Sequence, residues 1–521
     1  MAIQSRDDSN SLGWTTRVKL PTPSLQDNTA DVDRLCRVLK EAFDVDGVDV
    51  DLELAGSLPG MLRKSQYSLR CLVLRDRRRG LLIHAAREDS ADIMAGVAID
   101  LGTTRVVMRL VNLENQEPLA EASFDNPQVQ IGPDVLARIH HTDQPDGLSE
   151  LQQLIIDAVN FELSALCRTC DLKPENIHLF SVAGNTAMGH LFAGLPVHWM
   201  IREPYIPAVN RFGWTRAAAL GLSSAARARV LVFPNVGSYF GGDLIAGILY
   251  TGMHKQSGTA ILVDVGTNAE VVLGNRDWLM ACAGAAGPAL EGGMSRMGTT
   301  AAPGVIDRVR IDPKTRDFDI QTIDGLPPVG ICGSGVIDLA AQLFLAHMID
   351  IRGKFRPEAC AERLVYRNEL AHLIIVPAPS SGTGMDLCIS QADMDSLVRS
   401  KAAMYTILET ITGTMGMALH ELETFYVAGT FGSLIDPVSA ITIGMIPDLA
   451  LERYHSMGNT SLEGAALALI NREALGDMDC IRDSITYLEL NVNQDFMNRF
   501  SAAKFIPHTH TSRFPSVKPI R

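Results

Sequence analysis

The stretches 261–274, ILVDVGTNAEVVLG, and 96–113, GVAIDLGTTRVVMRLVNL, decide how this chain is read. In the first, Ile261, Leu262 and Val263 suit a central strand, Gly266 frees the backbone to turn, and Val271, Val272 and Leu273 resume a β pattern. Such a turn leaves backbone amides and hydroxyls exposed. Gly266, Thr267 and Asn268 lack bulk, so consecutive N–H groups can close on phosphate oxygens, while Asp264 at the strand end can hold a hydrated cation or orient a water. Asp100, Gly102, Thr103 and Thr104 occupy the corresponding places in the second stretch. One Asp-x-Gly-Thr hairpin is compatible with an ordinary β-turn; two, each preceded by an apolar strand, read as an internal duplication. Two such halves facing each other across a cleft would grip one nucleotide's phosphates from both sides, Asp100 and Asp264 sharing one Mg²⁺. Neither hairpin contains the Gly-x-x-x-x-Gly-Lys-Ser/Thr of a P-loop.

At 521 residues the chain exceeds what one core supports, and two or three domains are expected. Its 46 Lys and Arg against 60 Asp and Glu give a formal charge of −14, which disfavours nucleic acid or an anionic membrane as a partner. Nine cysteines without a dense spacing pattern fit a reducing cytoplasm rather than a disulfide framework. The polar start MAIQSRDDSNS lacks the apolar core of a signal peptide. The longest apolar run, 336–349, is short, carries Asp338, and reads as a buried helix rather than a membrane span. A cytoplasmic location is the expectation.

Along the chain, 1–13 read as a disordered N-terminus and 14–92 as a small α+β domain. Within it the pattern predicts a strand over 16–20, a helix over 29–43, a strand over 50–54, a turn or short helix over 56–63 and a hairpin of 67–75 with 80–86. A two-lobed region spans 93–480, and a C-terminal strand and tail fill 481–521. Leu151, Leu154, Ile155, Ala158, Val159, Leu163 and Leu166 mark a helix over 147–170. It leads to LFSVAGNTAMG (179–189), whose Gly-Asn-Thr ending suits close approach to a ligand or to the facing hairpin. Gly241 and Gly242 open a helix at Asp243, in which Ala246 and Gly247 permit close packing on another helix. The stretch 329–347, VGICGSGVIDLAAQLFLAH, opens in the same style, and the two are expected to be paired hinge helices. The Gly- and Ala-rich stretch 280–300, holding Glu291, follows the central hairpin directly and reads as an active-site loop. Ser390 caps a helix with Asp393 three residues on. In TFYVAGTFGSLIDP (424–437), Val427, Ala428 and Gly429 then echo Val182, Ala183 and Gly184 as the second half's copy.

VAIDLGTT, VDVGTNAEV and VAGTFG stand in the order and spacing of the two phosphate motifs and the adenosine motif of the superfamily joining acetate and sugar kinases, heat-shock chaperones and actin, ASKHA. This resemblance implies an α/β fold, a duplicated RNase H-like ATPase domain preceded by a small α+β domain. More narrowly, AGNTAMGHLFAGL, AGPALEGGMSRMGTTAAPGVID, GICGSGVIDL and YVAGTFGSLIDP resemble the ATPases that reductively activate corrinoid proteins. The likeness covers about residues 14–510 and takes in the small domain through LPTPSLQDNTADVDRL. Members of that family couple ATP binding and hydrolysis to transfer of an electron onto Co(II) in a corrinoid methyl carrier, restoring Co(I). The resemblance therefore implies ATP and Mg²⁺ as cofactors, a corrinoid protein as partner, and a homodimer. Carried over by residue, Gly102, Thr103 and Thr104, with Gly266, Thr267 and Asn268, would bind phosphate. Asp100 and Asp264 would hold Mg²⁺, through water, or the attacking water. Gly429, Thr430, Phe431 and Gly432 would flank the adenosine, with Gly333, Ser334 and Gly335 nearby. Asp100, Asp264 and Glu291 are the implied catalytic acids, and Asp243 a further cation or hinge residue.

Activators of this type usually carry an N-terminal plant-type 2Fe–2S domain with a Cys-x4-Cys-x2-Cys run, or clusters at the other end. Here the chain starts where that domain would finish. Its one close cysteine pair, Cys167 and Cys170, reads as structural, so no iron–sulfur cluster is expected and a separate ferredoxin or flavodoxin is the expected electron donor. Other function classes stay open. One is a nucleotide-dependent scaffold or chaperone of a corrinoid protein without a redox role. Another is a small-molecule kinase of the same fold, for which the apolar loop 281–293 offers little polar substrate pocket. A radical-enzyme activase with a cluster bridging two subunits would need Cys167 and Cys170 as ligands.

Overall fold

A computed structural model describes residues 13–76, 78–266, 269–284, 297–299, 301–429, 435–490 and 494–518. They fall into two compact units, the first taking 1–250 with 461–483 and the second 251–460 with 484–521.

The first unit opens with β1 (Thr15–Lys19), α1 (Asp31–Phe43), β2 (Gly47–Val50), α2 (Leu52–Lys64), β3 (Ser68–Asp76) and β4 (Arg79–Arg87). These strands form one sheet in the order β1-β3-β4-β2, with β3 and β4 as the expected hairpin. α2 corrects the sequence reading, which placed a strand over 50–54. Gly56, Pro59 and Gly60 argue against a helix there. Leu54, Leu58 and Leu62 nevertheless recur every fourth residue and are buried in the core shared with the sheet, so packing of that stripe overrides local propensity. Trp14 ties this portion to the remainder of the unit: it is wholly buried, its Nε1 donates to Ala468 O at 3.1 Å, and its ring meets Trp214 edge-on at 5.9 Å.

An α/β layer follows. β5 (Ala95–Leu101), β6 (Arg105–Asn112) and β7 (Pro118–Asp125) form an antiparallel meander. After α3 (Val135–His141) and α4 (Gly147–Thr169) come β8 (Ile177–Gly184), α5 (Thr186–Ala193), β9 (Trp214–Arg216), β10 (Arg229–Val232) and α6 (Gly242–Thr251). The sheet order is β7-β6-β5-β8-β10-β9, with β8 parallel to β5 and to β10. Every residue of β8 is buried, and in β5 every residue but Asp100, as central strands covered on both faces require.

The second unit repeats the plan. β11 (Ala260–Val265), β12 (Ala269–Gly274) and β13 (Leu279–Gly284) form another antiparallel meander. An insertion then carries β14 (Val305–Ile311), β15 (Phe318–Thr322), β16 (Gly330–Ile331), α7 (Gly333–Leu345), α8 (Pro357–Cys360), β17 (Leu364–Arg367), β18 (Leu370–Val376) and β19 (Leu387–Ser390). α9 (Gln391–Thr414) leads to β20 (Thr424–Ala428), the helix Pro437–Ile443 and β21 (Tyr454–Gly458). With β22 (Ile485–Tyr487) beside β13, the order is β21-β20-β11-β12-β13-β22. The C-terminal strand expected within 481–521 is thus β22. Five strands match the first unit one for one: β13, β12, β11, β20 and β21 stand for β7, β6, β5, β8 and β10.

α6 and α7, expected as paired hinge helices, belong to different units. Within the first unit Ala246 of α6 meets Gly464 of the helix Thr460–Ile470, where a Cβ on Gly464 would collide with Ala246 O. α7 packs inside the second unit. Gly335 lies against Ile306 O of β14, and the buried Asp338 accepts from Val309 N at 2.7 Å and from Ser439 Oγ at 2.5 Å. Among the described residues no helix is long and apolar enough to cross a membrane.

Candidate functional site

Strand register places the two aspartates identically. Asp100, one residue before the end of β5, stands opposite Val107 of β6 and Ala183 of β8; Asp264, one residue before the end of β11, stands opposite Glu270 of β12 and Ala428 of β20. Both are half-buried at the end of an otherwise buried strand. In each unit the parallel neighbour therefore brings a Val-Ala-Gly turn to the level of the aspartate. Gly184 pairs with Leu101, and a Cβ on it would stand 2.7 Å from Leu101 O. Gly429 has φ +80°, and a Cβ there would stand 3.1 Å from Asp264 Oδ1. A side chain would occupy the space in front of the carboxylate, so glycine is required on both conformational and steric grounds.

In the first unit the turn after β5 is gripped from behind. Asn126 donates from Nδ2 to Gly102 O at 2.9 Å, and from its backbone N–H to Thr104 O at 2.7 Å. Arg138 donates from Nη2 to Thr103 O at 2.6 Å, and Asn185 from Nδ2 to Thr103 Oγ1 at 3.0 Å. Asn185 also caps α5, accepting from Met188 N. Gly241 closes the group: a Cβ there would lie 2.5 Å from Asn185 Cα and 2.7 Å from Asp243 Oδ1. Asp243 accepts from Leu244 N in the first turn of α6. The structure thus gathers Gly102, Thr103, Thr104, Asn185 and Asp243 within one unit, and the Gly-Asn-Thr turn meets the hairpin of its own unit. Asn126 and Arg138 are additions that the sequence reading missed. Neither stands in a glycine turn, and nothing local distinguishes an arginine in VLARIHH from a surface residue.

In the second unit Gly266 follows β11 directly, next to Val265, whose carbonyl oxygen would stand 3.5 Å from a Cβ on Gly429. Gly333, Ser334 and Gly335 form the first turn of α7, where Ser334 Oγ lies 3.1 Å from Cys332 Sγ and Gly335 serves the packing on β14. A cavity of about 550 Å³ opens beside α7, lined by Arg308, Arg310, Asp319, Asp338, Gln342 and Asp436. Asp436 caps the helix Pro437–Ile443, at the far end of the segment that Gly429 begins. Thr267, Asn268, Glu291, Thr430, Phe431 and Gly432 lie outside the described residues.

A hydrated Mg²⁺ needs only one or two carboxylates beside phosphate oxygens, and the half-buried Asp100 and Asp264 at the mouths of glycine turns fit that demand. Among the described residues no group of three or more His, Cys, Asp and Glu is placed to hold a metal ion by itself. All nine cysteines are free thiols. Cys167 is buried at the end of α4, where burial pushes its thiol up to about 11, and Cys170 is half-buried beside Thr169.

Compared with known proteins, residues 258–518 match the family described as the C-terminal domain of RACo, the ASKHA domain; 95–256 match the RACo middle region and 10–92 the RACo linker region. The chain is similar to the corrinoid activation enzyme RamQ of Eubacterium limosum, 28% identical over 413 residues, covering 78% of this chain and 69% of that one. It is also similar to the Co(II) methylated amine-specific corrinoid protein reductase of Methanosarcina barkeri, 25% identical over 441 residues, covering 78% and 76%. Among solved structures it is similar to a reductive activator for corrinoid, iron–sulfur protein, with 35% identity and a TM-score of 0.86 over 98% of this chain and 82% of that one.

Proposed function

This chain belongs to the RACo family, and from that premise we propose that it uses ATP to drive reduction of a corrinoid protein's Co(II) to Co(I), the single electron coming from a separate low-potential donor such as a ferredoxin or flavodoxin. The observation that carries the reading is the duplicated register: Asp100 against Ala183 and Asp264 against Ala428, each level with a Val-Ala-Gly turn on the parallel neighbour. Gly102, Thr103 and Thr104, with Gly266, Thr267 and Asn268, are the proposed phosphate-binding residues, acting through backbone N–H groups and hydroxyls. Asp100 and Asp264 are proposed to hold cation-bound water and to orient the water that attacks the terminal phosphoryl group. Mg²⁺, when bound, would bridge phosphate oxygens and neutralise the charge that develops on them. Gly429, Thr430, Phe431 and Gly432 are proposed to flank the adenosine. A homodimeric state belongs to the same proposal.

ATP can promote electron transfer only by a differential affinity for two states of the complex, one of which accepts the electron more readily at cobalt. The test is an anaerobic visible spectrum of a Co(II) corrinoid protein mixed with this chain and a low-potential reductant, with ATP or without nucleotide. Appearance of Co(I) only with ATP, and its loss in Asp264→Ala, is the expected result. Hydrolysis of ATP with no cobalt centre reduced would replace electron transfer by a scaffolding role.

A further inference from the structure

Arg138 is wholly buried on α3, and its three nitrogens are engaged with uncharged acceptors. Nε donates to Gly132 O at 2.9 Å, Nη1 to Gln128 Oε1 at 3.1 Å and to Met188 Sδ at 3.2 Å, and Nη2 to Thr103 O at 2.6 Å. Among the described residues no carboxylate forms an ion pair with it. Asp134 is the acid whose field reaches it, and that carboxylate caps α3 on Ala137 N at 2.8 Å. Desolvation brings the guanidinium down to about 10, so it remains charged at neutral pH. A buried cation without a counter-ion is a standing cost of the folded state, and it is offset when an anion arrives within reach of its field.

The direction of the Thr103 bond adds a second argument. A trans peptide points its C=O and N–H to opposite sides. With the Thr103 carbonyl drawn inward onto Arg138, the N–H of Thr104 must face the other way; Asn126, holding the Gly102 carbonyl, does the same for the N–H of Thr103. Consecutive donors are thereby turned toward one side of the turn, as an anion nest requires.

We propose that Arg138 is a positioning residue for nucleotide phosphate: through the Thr103 carbonyl it aims the Thr104 N–H at the anion, and its charge is the buried counterpart of the polyphosphate. The inference rests on the ATP reading above and extends it to a residue that does not touch the nucleotide. Its test compares ATP with adenosine, because the nucleoside contacts proposed above do not involve Arg138. Binding of both ligands to wild type, Arg138→Met and Arg138→Lys is measured by calorimetry, with thermal unfolding of each variant recorded in parallel. The expected result is that Arg138→Met weakens ATP by about tenfold or more while adenosine stays within about twofold, and that Arg138→Lys, keeping the charge but not the planar fork, recovers part of the loss. Parallel losses for ATP and adenosine, or a fall in melting temperature with ATP affinity unchanged, would assign Arg138 a purely structural role. Should Arg138→Met fail to fold, Arg138→Lys decides: about a fivefold loss confined to ATP supports the proposal, and no loss or an equal loss overturns it. Wild-type protein that binds no ATP removes the proposed function itself; wild-type binding with an unchanged Arg138→Met removes only the role of Arg138.

Discussion

The two glycine turns share one strand register, and the contacts described at each come from different groups. The turn after β5 is held by side chains: Asn126 on Gly102 and Thr104, Arg138 on Thr103 O, and Asn185 on the Thr103 hydroxyl. At the second, the described contact is between carboxylate and backbone, Asp264 facing a Gly429 held at φ +80°. The helices ahead of β8 and β20 differ in the same spirit. α4 starts from Asp146 without a side-chain cap, whereas α9 starts from a reciprocal capping box of Ser390 and Asp393. The two halves share the pairing that locates the aspartates, while the helices ahead of β8 and β20 start in different ways. Equivalent positions are therefore expected to respond unequally to substitution wherever the support, and not the register, is removed.

The sharpest test of the equivalence is at the aspartates. Asp100→Ala and Asp264→Ala are each expected to lower kcat for ATP hydrolysis by at least about a hundredfold with folding intact. A loss under tenfold at either position would break the symmetry of the two halves.

Acid should separate the units next. In the first, the rings of His84 and His178 meet at 4.3 Å, tilted by 33°, and burial pushes their imidazoles down to about 4 and about 3; in the second, His508 is pushed down to about 4 for the same reason. A histidine kept neutral in the folded state stabilises it above its unfolded value near 6.5, because below that pH only the unfolded chain takes up the proton. Stability is lost as pH falls from about 6.5 toward 4. The first unit, with two such groups packed together, is expected to lose about 1–2 kcal/mol for each between pH 7 and 5. Hydrogen exchange at the two pH values, resolved by unit, measures the difference, and His178→Gln should flatten it. Equal acid sensitivity of both units would refute the contrast.

A smaller effect is expected at Gly429→Ala, which combines positive φ with a Cβ in front of Asp264. It should destabilise the second unit by about 1–2 kcal/mol and weaken nucleotide binding, read by thermal unfolding with and without ATP. The smallest contrast concerns the helix caps. Ser390→Ala should cost about 1 kcal/mol of stability with activity unchanged, and Asp146→Asn within about 0.5 kcal/mol, since Asp146 makes no cap bond to lose and asparagine tolerates its φ of +63°. Equal costs would show that the caps do not distinguish the two helices.

Much of this was legible in the residues because its causes are local. An apolar run ending in Asp-x-Gly, and Val-Ala-Gly repeated at 182–184 and 427–429, mark strand ends and turns by composition alone. Ser390 and Asp393 announce a helix start through a bond spanning three residues. The misreadings lie where distant contacts compete with local preference. α2 forms around Gly56, Pro59 and Gly60 because Leu54, Leu58 and Leu62 have a core to enter. α6 packs on Gly464, more than two hundred positions away, a contact that no local pattern announces.

By itself, then, the sequence determined that the chain is a duplicated α/β protein and where its two aspartate turns and its Val-Ala-Gly echoes stand, because period and turn chemistry are properties of a few adjacent residues. Only the tertiary structure decided that Asp100 stands level with Ala183 and Asp264 with Ala428, that Gly464 accepts α6, and that a buried arginine holds the first turn. Strand register, helix partnership and the burial of a charge are set jointly by groups far apart in the chain, and no short stretch carries them.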